Sequence, residues 1–201
     1  MIGSNGDGNM GGSTMSDRYT NHSKRIAFLK QTPLMIVAAI LAVILFRGTV
    51  RSADKATAKK SVYVDANYGF SLTPPRFKTA TPGSMVVPAI FSGIGDGSFT
   101  SNVNINVNVM TTTREQYRKL SLDEFRAANL KVIADTDRTV SGRNAILFSY
   151  EGRIQETDLH FLALAIIDMD RVILVTCTAK QAVFKEMEAE FLACLNSFTL
   201  D

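Results

Sequence analysis

The sequence predicts an α+β domain, an antiparallel β-sheet flanked by helices in an α/β/α sandwich, preceded by one N-terminal membrane helix. Three observations predict it. Four strand-like segments between Lys131 and Ala179 are joined by short connections that suit hairpins rather than crossovers. One of them alternates Leu159, Phe161, Ala163 and Ala165 with Leu162, Leu164 and Ile166, apolar on both faces as a central covered strand must be. Two other segments change from a period of two to helical spacing, so helices are available to cover the sheet.

The chain begins with 25 residues rich in Gly, Ser and Asn, "MIGSNGDGNMGGSTMSDRYTNHSKR", which hold too few branched aliphatics to order themselves. Residues 1–31 therefore read as a disordered tail, and Met15 is an alternative start. Residues 32–50 read as a membrane anchor or signal segment. Within them Leu34 to Phe46 is unbroken apolar sequence, preceded by Lys24, Arg25 and Lys30. The run is shorter than the roughly 20 residues that cross a bilayer, but Gly48 to Val50 extend it and Arg47 can snorkel. An uncleaved anchor, a signal peptide cleaved at Ala56-Thr57-Ala58 and a buried core helix all stay open, with the anchor favoured because that cleavage pattern lies far beyond Phe46. Lys and Arg number four before the run and five after it, so the positive-inside rule does not orient it. Residues 51–60, "RSADKATAKK", form a polar linker.

Charge distribution narrows the partners. Residues 61–201 carry thirteen Lys/Arg against sixteen Asp/Glu, whereas residues 47–60 carry five against one. Basic clusters flanking an apolar run suit lipid headgroups, and a nucleic-acid binder would hold its positive charge on the domain, so no nucleic-acid partner is expected.

The domain, 61–201, opens with "SVYVDANYGFSLTPP", a strand, turn and strand closed by Pro74-Pro75. "MVVPAIFSG" reads as a strand weakened by Pro88. The glycines 93, 95 and 97 that follow read as a hairpin loop rather than a phosphate cradle, since neither a Lys nor a helix start follows them. Next comes "SNVNINVNVM", in which Asn102, Asn104, Asn106 and Asn108 fall on one side of a strand and Val103, Ile105, Val107 and Val109 on the other. The valine side is expected to face the core. The asparagines are expected to form a solvent-facing ladder, either a partner-binding surface or simply a solvated or loop-covered face whose amides bond across strands. In "TTTREQYRKLSLDEFRAANL" a helix is expected, with Ser121 and Glu124 at capping-box spacing. A last helix is expected over about 181–196, with Phe184, Met187, Phe191, Leu195 and Phe198 as its buried stripe.

Chemistry-bearing residues are few. There are two histidines; His22 lies in the tail, and His160 shares a strand face with Asp158 and Glu156. An Asp-x-His pair is the best metal-ligand spacing in the chain, yet it marks more simply the polar entry of a strand, so Asp158 and His160 are weak metal candidates and no cofactor is expected. Cys177 and Cys194 could bridge in an oxidising compartment or stay buried as thiols. No nucleophile, base and orienter share a segment, and no catalytic residues are assigned.

Taken together, "YGFSLTPPRF", "NVNINV", "SLDEF", "GRNAILFSYEG" and "VILVTCTAKQAVFKEMEAEFLACLNSFTL" resemble the PsbP-like superfamily over residues 61 to 200. The resemblance implies an antiparallel sheet between helices, a domain outside the cytoplasm and no shared enzymatic reaction. The function expected is a membrane-tethered, non-catalytic, extracytoplasmic protein-interaction or assembly module. A small-ligand or lipid-binding module is the alternative, and a hydrolytic enzyme stands behind both.

Overall fold

A computed structural model describes residues 62–76, 79–82, 89–95 and 99–201, with backbone alone at 79–82 and 94–95. The expected tail, membrane segment and linker lie outside the described residues, as do Phe77, Pro88 and Gly97. Among the described residues no helix is long and apolar enough to cross a membrane.

Ten strands and two helices make up the described fold. A seven-stranded antiparallel sheet holds β3 (Thr79–Pro82), β4 (Ala89–Gly95), β5 (Thr100–Val109), β6 (Lys131–Val140), β7 (Arg143–Ile154), β8 (Thr157–Asp168) and β9 (Arg171–Lys180). Their spatial order is β3-β4-β5-β9-β8-β7-β6. The expected opening hairpin, β1 (Tyr63–Asp65) and β2 (Phe70–Leu72), pairs with the C-terminal β10 (Thr199–Leu200) to make a second sheet of three strands. The sequence gives no sign that β10 joins the hairpin, because a two-residue strand has no periodicity to read.

Helix α1 (Arg114–Ala127) lies over β6 and β7, and helix α2 (Gln181–Asn196) lies over β8 and β9 on the opposite face. Register separates the two faces. Tyr150 pairs with Phe161 and Phe148 with Ala163 on the α1 side, where Phe125 stacks on Tyr150 at 4.3 Å between ring centroids. Leu162, Leu164 and Ile166 point the other way, into a core shared with Phe184, Phe191, Leu195 and Phe198. The two-faced apolar strand is thus β8, with both rows buried.

The start of α1 differs from expectation. Thr113 is its N-cap, accepting from the backbone N–H of Gln116 at 3.2 Å, while the Gln116 side chain accepts from the Thr113 N–H at 3.0 Å. Thr-x-x-Gln is the same capping pattern as Ser-x-x-Glu. Starting at the earlier copy places Tyr117, Ser121, Glu124 and Phe125 on one buried stripe at helical spacing. Ser121 and Glu124 are therefore interior residues and cap nothing. Asn129, with φ at 55°, turns the chain off the helix in the left-handed conformation. The chain then brings Leu130 against Gly152, where a Cβ would collide with a Leu130 methyl.

Helix α2 runs where the sequence places it, and its stripe is buried apart from the half-buried Met187. The hairpins turn tightly. Ser141-Gly142 joins β6 to β7 with φ of 47° and 79°, a pair of positive angles that matches the twist of adjoining strands. Gln155-Glu156 does the same between β7 and β8 at 45° and 67°, without a glycine. β4 and β5 pair as a hairpin as expected, but Gly93 and Gly95 belong to β4, beside a register shift between Ser92 and Gly95.

Candidate functional site

The asparagine row lies on the α1 side of the sheet, and the expectation that it faces solvent is corrected by its burial. Asn102, Asn104, Asn106 and Asn108 keep 5, 2, 3 and 9% of their surface exposed, as little as Val103, Ile105 and Val107 on the opposite side. β5 is an interior strand, between β4 and β9, and both of its faces are covered. Val109 departs in the other direction, at 88% exposure, because it lies at the last rung of the β5–β9 ladder, opposite Arg171.

Buried amides need partners, and they find them along the strand rather than across it. Asn106 Nδ2 donates to Asn104 Oδ1 at 2.8 Å, and Asn102 Nδ2 donates to the Thr100 carbonyl at 3.0 Å. Register sets Asn102 beside Thr178 and Asn104 beside Thr176 on β9. Among the described residues Asn102 Oδ1, Asn104 Nδ2 and Thr178 Oγ1 find no partner. On α1, both Glu124 oxygens are likewise buried and have no partner among the described residues, and the buried Tyr117 phenol lies beside Ser121. Burial pushes the Glu124 carboxyl up to about 7, and it pushes the phenols of Tyr117 and Tyr150 up as well. These groups make the α1 side the polar half of the interior. The partner-facing ladder expected of the asparagines is not available there, since a partner would have to open the fold to reach them.

The weak metal pair separates. Asp158 is exposed and lies 3.9 Å from Arg153. His160 Nε2 is 2.9 Å from Ser149 Oγ, and its ring lies flat on Phe184 at 3.6 Å. Burial lowers the His160 pKa, against the opposing pull of Glu151 and Glu188, so the ring is neutral near pH 7. Among the described residues no group of three or more His, Cys, Asp or Glu side chains converges where a metal ion would sit. A hydroxyl within hydrogen-bond reach of an imidazole is the first half of a nucleophile and base. Among the described residues, however, no carboxylate hydrogen-bonds the other ring nitrogen to orient it. The sequence reading missed Ser149, although "NAILFSYEG" read with period two puts Ser149 on the same face as Leu147 and Glu151, which the register sets alongside His160.

One buried carboxylate is fully engaged. Asp168, 2% exposed, accepts from Arg143 Nε at 3.1 Å and from Arg171 Nη2 at 2.9 Å. Arg171 Nη1 also donates to the Tyr68 carbonyl and Arg143 Nη2 to the Asp201 carbonyl. Burial raises the Asp168 pKa, but the two guanidinium groups outweigh it and hold the carboxyl below its ordinary value. The cluster ties the β8–β9 turn to the β1–β2 turn and to the C-terminus. Cys177 and Cys194 are free, buried thiols; burial pushes the Cys177 thiol well up, and Cys194 beside it pushes the same way.

No family model matches the chain, and no curated protein matches it in sequence. Solved structures match it in fold. The chain is similar to the solution structure of cyanobacterial PsbP from Synechocystis sp. PCC 6803, with a TM-score of 0.54 and 15% identity, covering 77% of this chain and 100% of that one. It is similar also to the crystal structure of LpqN, involved in cell envelope biogenesis of Mycobacterium tuberculosis, with a TM-score of 0.55 and 11% identity, covering 70% of this chain and 89% of that one. At these identities the likeness is one of fold, and the described residues form a PsbP-like α+β fold.

Proposed function

We propose that this chain is a membrane-tethered, non-catalytic PsbP-like domain, held on the outer side of the membrane by a single N-terminal helix and acting as a protein-interaction or assembly module. The observation that carries the reading is an arrangement in sequence. An apolar run, Leu34 to Phe46, and a basic linker stand directly ahead of a PsbP-like domain in which Asp168 and His160 are bonded to framework side chains. Asp168 holds two arginines, His160 holds Ser149, and the thiols are buried, so the domain has surface to offer more than chemistry. The involvement of LpqN in cell envelope biogenesis agrees with a domain outside the cytoplasm. Surface suited to a protein partner exists at β6, an edge strand of the large sheet, which is exposed along nearly its whole length and carries a half-exposed Ile133.

Crosslinking in native membranes followed by capture of the full chain tests the reading. One defined protein, recovered in constant ratio and lost when Ile133→Asp and Thr136→Pro disrupt the β6 edge, is the expected result. Recovery of no protein above background, with the chain folded and membrane-bound, contradicts the interaction module.

A further inference from the structure

The outer face of the three-stranded sheet has no described cover. β1 is one of its two edge strands, with Asp65 turned inward and buried. Tyr63 also turns inward, its ring 5.3 Å from that of Phe91. Val64, and Val62 just ahead of the strand, point the other way and keep 65 and 59% of their surface exposed. Beside Val64 on the same face are Ser71 and Thr199, whose hydroxyls lie 2.8 Å apart. Branched aliphatics on an edge strand that presents no outward charge of its own are a liability in a free domain, and native proteins cover or charge such edges.

The sequence indicates what covers this one. Lys59 and Lys60 stand just ahead of Val62, and the apolar run ends at Phe46. Fifteen residues, 47 to 61, separate the apolar run from Val62, and no chain of that length reaches beyond about 50 Å, so on the tethered reading β1 is the domain's point of attachment to the bilayer. Lysines at that point are drawn to anionic headgroups, and the two valines beside them lose water on reaching the interface. We infer that the outer face of the three-stranded sheet, through Val62 and Val64, docks on an anionic lipid surface and sets the orientation of the domain over the membrane. The inference rests on the tethered reading above.

The chain contains no tryptophan, so a single introduced one reports its own surroundings. The full chain carrying Val64→Trp is reconstituted in vesicles of phosphatidylcholine and phosphatidylglycerol with brominated acyl chains. Val62→Trp is a second reporter in case the first fails to fold. Ile133→Trp is the control, placed on β6, which is five strands and so about 24 Å across the sheet from β4, where the small sheet packs. Loss of most emission at Val64→Trp and Val62→Trp, with Ile133→Trp unquenched, is expected. A chain that floats with the vesicles while the Val64→Trp emission stays unquenched overturns the docking and leaves the tether standing. A blue-shifted but unquenched reporter that reverts on dilution assigns the face to a second copy of the chain and also overturns it. A chain that does not float removes the tether, and the docking with it.

Discussion

Asn106 Nδ2 donates to Asn104 Oδ1 at 2.8 Å inside the fold, two residues apart on one strand, with each side chain at or below 3% exposure. The bond lets a strand carry amides on a covered face, and its strength is measurable. Asn106→Ala strands the Asn104 oxygen and is expected to lower stability by about 1–3 kcal/mol. Replacing both residues with valine removes donor and acceptor together and is expected to cost less than the single change. Urea unfolding of the two variants checks this, and a loss below about 0.5 kcal/mol for Asn106→Ala would mean that water reaches the amides.

Glu124 makes stability depend on pH in an uncommon direction. Its carboxyl titrates near 7 in the folded chain against an ordinary value of 4.5. Below 4.5 both folded and unfolded chains hold the proton and nothing is lost. Between 4.5 and about 7 the unfolded chain ionises first, so stability falls as pH rises, and above 7 the loss is complete. Glu124→Gln is expected to be more stable than the parent by roughly 2–3 kcal/mol at alkaline pH and to match it in acid. Unfolding midpoints of the two chains across that range decide the matter; a constant gap at all pH values would mean that Glu124 does not titrate in this way.

Asp168 acts at the acid end. Its carboxyl is held below the ordinary range, so the stability it contributes is present above the unfolded value and is lost as pH falls through the folded one. Asp168→Asn leaves Arg143 and Arg171 without their buried counter-charge and is expected to cost about 3 kcal/mol or more. Accelerated amide exchange near Tyr68 and Leu200 should accompany the loss, because the arginines also hold those turns.

The turn at Gln155-Glu156 places two residues with side chains in the left-handed region, where each is unfavourable. Gln155→Asn with Glu156→Gly is expected to raise stability by roughly 1 kcal/mol without altering the strands. A thermal scan that shows no gain would indicate that the long side chains make compensating contacts.

Period two in "SNVNINVNVM" identifies a strand and divides its residues correctly between two sides, but the pattern does not say which side is wet. Polarity pointed the asparagines outward, whereas burial depends on what lies above β5, which a local pattern does not contain. Val109 looked like its neighbours, yet the β5–β9 ladder ends there and leaves it exposed. α2 was legible because Phe184, Phe191 and Leu195 repeat at helical spacing directly after a strand, while α1 offered two capping patterns and only tertiary packing chose Thr113 over Ser121. The Ser149–His160 bond needed register as well as periodicity, and register becomes available only once the hairpin turn is known.

The proposed function stands on the tether and on the side of the membrane where the domain lies. Carbonate extraction of membranes bearing the full chain with a tag after Asp201, preceded by protease treatment of cells whose inner membrane is sealed, tests both at once. The untreated chain is expected to stay in the carbonate-washed pellet, and external protease is expected to remove the tag once any outer envelope is permeabilised. A tag found in the carbonate supernatant, or one still protected while the inner membrane is sealed, would contradict the proposal.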